Sequence, residues 1–205
     1  MKRVSIGILA TSVVLFAAAC STTNDSGTDE STQASAPTSS SESLRPTLTA
    51  SKLQPPSQDS DAAEGRPEVV FDPCTWISDK TISDVGYDPS SRHRIRDIVA
   101  EDTFLTCGFS SPLHSLRLNS GNVTWDQNLQ KNAGRSDPTT VNGREAMWVH
   151  DPDMPETCEL DLRTKVGFVQ VLSDLTDATN ASETPPCDGL LQTAEAVENE
   201  IGKDN

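Results

Sequence analysis

Cys158-Glu159-Leu160-Asp161-Leu162 alternates strictly between apolar and charged side chains, and after Arg163-Thr164-Lys165 the chain resumes as Val166-Gly167-Phe168-Val169-Gln170-Val171-Leu172. Successive side chains of a strand point to opposite faces. Cys158, Leu160 and Leu162 therefore share one face, with Glu159 and Asp161 on the other as wet-face residues. The two segments read as a hairpin in the centre of a sheet.

The neighbouring sequence extends that sheet. Val141-Asn142-Gly143-Arg144 is the sharpest turn signal in the chain, because Asn-Gly permits positive φ at both central positions of a type I′ hairpin. Residues 104–110, 115–119 and 146–149 read as further strands. Ser111-Pro112 separates the first two, and Leu116 and Leu118 keep the period of two. Residues 123–133 read as a helix, whereas 89–96 look like a polar loop. At the amino end of this region Asp72-Pro73 supplies an N-cap and a proline at the first helical position. Ser78 caps a second short helix over 79–85, ended by Gly86. Beyond a polar loop at 174–186, Leu190, Leu191, Ala194, Val197 and Ile201 recur at helical spacing until Gly202. The expected fold is α+β: a mainly antiparallel sheet with N-terminal and C-terminal helices packed on one face.

The first residues have a different character. Lys2 and Arg3 precede a short apolar run that ends at Ala17-Ala18-Ala19-Cys20, the pattern of an export signal with a lipobox-like site. The run is shorter than the roughly 20 apolar residues of a membrane-spanning helix, so residues 1–19 are read as a cleaved signal peptide. Ala17-x-Ala19 also suits an ordinary signal peptidase cutting at the same bond. The remaining cysteines, Cys74, Cys107, Cys158 and Cys187, are even in number, which leaves Cys20 as the odd thiol and favours a diacylglyceryl group there. Residues 20–66 are rich in Ser and Thr and poor in large apolar side chains. They read as a lipid-anchored disordered tether of about 35–40 Å r.m.s. reach. Residues 67–205 form the folded domain.

In an oxidising compartment disulfides compensate for a modest core. Four cysteines allow three pairings. The expected one joins Cys74 to Cys187, at the starts of the first and last helices, and Cys107 to Cys158, both in strands. A zinc site is not indicated, since no C-x₂₋₄-C pair is present.

Several motifs recur in order: Asp72-Pro73-Cys74, Cys107-Gly108-Phe109, Val141-Asn142-Gly143-Arg144-Glu145-Ala146, Thr157-Cys158-Glu159-Leu160 and Pro185-Pro186-Cys187-Asp188. Together they resemble the actinobacterial lipoprotein family built on a domain of unknown function of the DUF3558 type, which includes mycobacterial Lpr-type lipoproteins. The resemblance implies an extracytoplasmic, lipid-anchored domain and implies no activity.

Composition restricts the partners. With 31 acidic against 16 basic residues the net charge is −15, which is unsuited to nucleic acid. The one basic cluster, Arg92-His93-Arg94-Arg96, reads as a solvated face. His93, His114 and His150 lack ligand spacing and read as solvated or loop histidines. The acidic run Asp151, Asp153, Glu156, Glu159 and Asp161 lacks the spacing and glycine of a calcium loop. Trp76, Trp125 and Trp148 read as packing residues. No nucleophile elbow is present, so no catalytic residue, cofactor or metal is assigned. The expectation is a monomeric, non-enzymatic binding or envelope-interaction module at the outer face of the cell membrane, meeting an envelope protein or a small ligand. Two alternatives are a cell-wall polymer hydrolase or accessory enzyme using carboxylates such as Glu145 or Glu159, and a lipid carrier with an apolar cavity.

Overall fold

The computed structural model describes residues 48–59, 65–176 and 184–205. The expected signal peptide, Cys20 and most of the tether lie outside the described residues. The sheet comprises β1 (Asp88–Arg94), β2 (Ile98–Val99), β3 (Thr103–Ser110), β4 (His114–Gly121), β5 (Ser136–Val141), β6 (Arg144–Val149), β7 (Thr157–Arg163) and β8 (Phe168–Leu175). Every pairing is antiparallel. The order is β1-β3-β4-β8-β7-β6-β5, with the short β2 added to β3. The β7–β8 hairpin sits near the middle with Leu160 opposite Val171, as its alternation predicts. Asn142 (φ 50°) and Gly143 (φ 86°) form the tight turn between β5 and β6.

Helix α1 (Pro73–Trp76) is capped by Asp72 and α2 (Asp79–Asp84) by Ser78. Helix α3 (Trp125–Lys131) opens with a full capping box between Thr124 and Gln127. It carries the chain from β4 to the far edge, from which β5 to β8 work back inward to meet β4. Helix α4 (Leu190–Ile201) closes the chain. Helices α1, α2 and α4 cover one face, where Leu118, Leu160, Leu162, Val169 and Val171 are fully buried with Ile77, Ile82 and Ala194. Leu190, Ala194, Val197 and Ile201 form the inward stripe of α4. Leu191, expected there, is 43% exposed, because it lies about 100° round the helix from Leu190.

Three readings are corrected. Residues 88–94 are a strand, not a loop, and two members of the basic cluster, Arg92 and Arg94, are not solvated, whereas His93 and Arg96 are exposed. Arg92 is 1% exposed. Its guanidinium donates to Cys74 O (3.2 Å), pairs with Asp79 (2.9 Å) and lies 4.9 Å from the Phe109 ring centroid. Arg94 bridges Asp72 (2.6 Å), Asp97 (3.0 Å) and Leu53 O (2.6 Å). Inward-pointing residues here alternate correctly, but they are cations held by partners, so a search for apolar periodicity passes over them. The tether, secondly, does not run free to residue 66. Ser51–Leu53 forms a single 3₁₀ turn, Leu53 is fully buried in the core, and the Gln58 amide exchanges two hydrogen bonds with the Val69 backbone.

Thirdly, the disulfides are Cys74–Cys107 and Cys158–Cys187, each with Cα atoms 5.1 Å apart. The expected Cys107–Cys158 bridge is excluded by strand order. β3 and β7 are three positions apart, about 14 Å at the spacing of sheet strands, whereas a bridge needs roughly 4.4–6.8 Å. Helix α1 is instead stapled to β3, and the turn leading into α4 to β7.

Candidate functional site

On the face away from α1, α2 and α4 the register aligns Met147, Asp161, Gln170, Asn119 and Thr106 in one transverse row. Val149, Glu159, Leu172, Arg117 and Gly108 form the next. Helix α3 covers one end of these rows: Trp125 packs with Met147, Val149 and Phe168. The remainder forms a cavity of about 540 Å³, bordered by Ile95 to Ile98, the carboxyl end of α3 and the loop bearing Met154, within the roughly 300–1,000 Å³ usual for small-molecule sites. Gly121 shapes one wall, because a Cβ there would stand 2.5 Å from the Phe104 ring.

Glu159 and Asp161 are not the wet-face pair their alternation suggests. Glu159 is half-buried and Asp161 fully buried. Two chains of oriented amides converge on them. From one side Asn119 Nδ2 donates to Gln170 Oε1 (2.5 Å) and Gln170 Nε2 to Glu159 Oε1 (2.7 Å). From the other, Arg135 Nε donates to Asn132 Oδ1 (3.1 Å), Asn132 Nδ2 to Asn128 Oδ1 (3.0 Å), and Asn128 Nδ2 to Asp161 Oδ2 (2.6 Å). Asn128 and Asn132 are each 2% exposed.

Burial, then the charge of Glu159, pushes the Asp161 carboxyl well above the usual carboxylate range; burial also raises Glu159. Asp161 Oδ1 is buried with no N–H donor. An unpartnered buried carboxylate oxygen disfavours the ionised form, in the same direction as the rise. Lys131 and Arg135 partly offset the rise at Glu159.

The other candidates lie apart from this cavity. Glu145 is exposed, with its carboxyl held low by Arg163 (2.6 Å) and then by the Trp125 indole N–H (2.9 Å). His93 is exposed, and His150 is exposed and 2.9 Å from Asp137. His114 is buried rather than solvated. It borders a smaller hollow with Tyr87, whose hydroxyl burial pushes up. The nearby Ser173 is fully buried and presents no nucleophile. Trp125 and Trp148 pack, while Trp76 is 43% exposed with its ring edge against Phe71. Among the described residues no three His, Cys, Asp or Glu side chains converge to hold a metal ion, and no helix is long and apolar enough to cross a membrane.

The model of the family described as protein of unknown function, DUF3558, matches residues 15–200. The chain belongs to the DUF3558 family. No curated protein and no solved structure matches it. The signal for the family lay in the cysteine and turn motifs. Nothing in that signal marks Asn119, Asn128, Asn132 or Gln170, four dispersed amides on three separate elements and the loop after α3, brought together by strand register and by the placement of α3.

Proposed function

We propose that this DUF3558 chain is an actinobacterial Lpr-type lipoprotein, anchored through Cys20 at the outer face of the cell membrane, whose domain is a non-enzymatic module that binds a small envelope ligand in the cavity above β3, β4, β8 and β7. The observation that carries this reading is the amide network. Its members are locked by one another, which preorganises a polar floor at the base of a cavity of ligand size. Two disulfides and the export-type amino terminus support the compartment.

The hydrolase alternative draws less support. Glycoside cleavage needs two carboxyls on opposite sides of a sugar, roughly 5–9.5 Å apart. Glu159 and Asp161 stand two residues apart on one face of β7, with Asp161 closed to solvent, and Arg163 holds the Glu145 carboxyl below the usual range.

Native mass spectrometry of the full chain purified from membranes tests both parts. The expected result is an acylated Cys20 and, beyond it, a non-covalent mass excess that disappears in a folded Leu172→Trp variant, whose indole fills the cavity. A bare protein, or an excess that survives the substitution, would refute the cavity as a binding site. An unmodified amino-terminal cysteine would refute the anchor.

A further inference from the structure

The cavity has two chemistries, and their separation specifies a ligand class. Four cationic side chains, Arg96, Arg117, Lys131 and Arg135, border it against two acidic ones, Asp151 and Glu159. That local excess is unexpected on a chain with 31 acidic and 16 basic residues. Arg117 and Arg135 form only long ion pairs, 3.6 Å from Asp174 and 3.5 Å from Asp151. Arg96 and Lys131 make no ion pair among the described residues and are exposed at the rim.

The apolar part of the lining is equally distinct. Phe104 and Phe168 meet edge to face, with centroids 6.2 Å apart, and Leu172 continues their surface. Ile98 (50% exposed) and Met154 (46%) stand at the lip. Large apolar side chains exposed beside an apolar wall are a cost in water unless something covers them. Cations beside the same wall select what does.

We infer that the cavity binds an anionic amphiphile, its acidic headgroup held by Arg96 and Lys131 and its apolar tail laid along Phe104, Phe168 and Leu172 between Ile98 and Met154. This rests on the binding reading above and names the ligand class for that site. Carboxylate and phosphate heads share the required chemistry, since guanidinium and ammonium groups pair with either.

Photolabelling of the full chain in mild non-ionic detergent tests it, using a diazirine-bearing hexadecanoic acid, its methyl ester, and hexadecyl phosphate as competitor. The expected result is labelling by the acid on peptides carrying Phe104, Met154 or Phe168. Labelling should be about tenfold weaker with the ester and in the Arg96→Gln/Lys131→Gln variant, the loss that one charge-assisted hydrogen bond accounts for. Competition by hexadecyl phosphate shows that the site takes both heads; absence of competition assigns it to carboxylates. Equal labelling by acid and ester would overturn the inference, as would labelling confined to other peptides. Failure of the acid to label while native mass spectrometry still shows a Leu172-dependent excess would sink the amphiphile and leave the binding module standing. Failure of both would remove both.

Discussion

The same strands present two different surfaces. Toward α1, α2 and α4 they offer Leu118, Leu160, Val169 and Val171, all fully buried. One residue further along each strand, toward α3 and the cavity, they offer Asn119, Asp161 and Gln170. Asn119 and Gln170 are half-buried, but Asp161 is as inaccessible as Leu160, so there burial is shared and polarity is not. On the helix face, removing apolar area from water stabilises the fold by roughly 1.5–3 kcal/mol for each large side chain. On the other face each hydrogen bond returns only about 1 kcal/mol net, and every unmet partner costs more. One face therefore supplies stability, and the other holds a fixed arrangement of donors and charges.

That contrast gives a ranked set of expectations. The largest effect belongs to the staples on the helix face. Substituting Cys74 by Ser opens a 33-residue separation and should cost about 3.5–4 kcal/mol in urea unfolding, with Cys107 becoming alkylatable without reduction while Cys158 and Cys187 stay protected. Reactivity at Cys187 instead would mean that α1 and α4 are bridged to each other. Leu160→Ala, beside Asp161 on the same strand, should cost about 3 kcal/mol through the cavity it leaves. A loss below about 1 kcal/mol would show that the helix face is loosely packed.

The carboxyl pair predicts an effect of opposite sense. Because folding raises both pKa values, the folded state keeps its protons to higher pH than the unfolded chain. Its contribution is fully present below the ordinary carboxylate range and declines as pH rises through the raised values, by about 1.4 kcal/mol per pH unit for one proton. Asp161→Asn keeps an acceptor for Asn128 and removes the titrating carboxyl. It should therefore flatten the fall in stability as pH rises above the ordinary carboxylate range, and an unchanged slope would show that Asp161 does not carry the raised pKa. Smallest of all, Asn119→Ala removes one terminal donor of the network and should cost about 1 kcal/mol while leaving the disulfides intact. A loss like that of Leu160→Ala would erase the distinction between the faces.

The helix-covered face was readable because its physics is local. Leu160 and Leu162 alternate, Asn142-Gly143 turns, Ser78 caps and Leu190 to Ile201 repeat at helical spacing, each within a few residues. The cavity face was misread for the same reason. Glu159 and Asp161 have the pattern of solvated residues, and what buries them is α3, some thirty residues away in sequence, with Asn128 as the contact. Arg92 and Arg94 have the local pattern of surface cations, because their partners, Asp79 in α2 and Asp72 at the cap of α1, lie well before β1 in the chain.

Periodicity, caps, turn residues and the even cysteine count specify which elements form and of what kind, since each depends on interactions between residues near one another in the chain. Strand order, and with it the choice of bridges, the burial of two carboxyls and the gathering of cations around one cavity, follows from the crossover by α3 and the return of β8 to β4. Those contacts join distant segments, and their free energy exists only once the sheet has closed in this order.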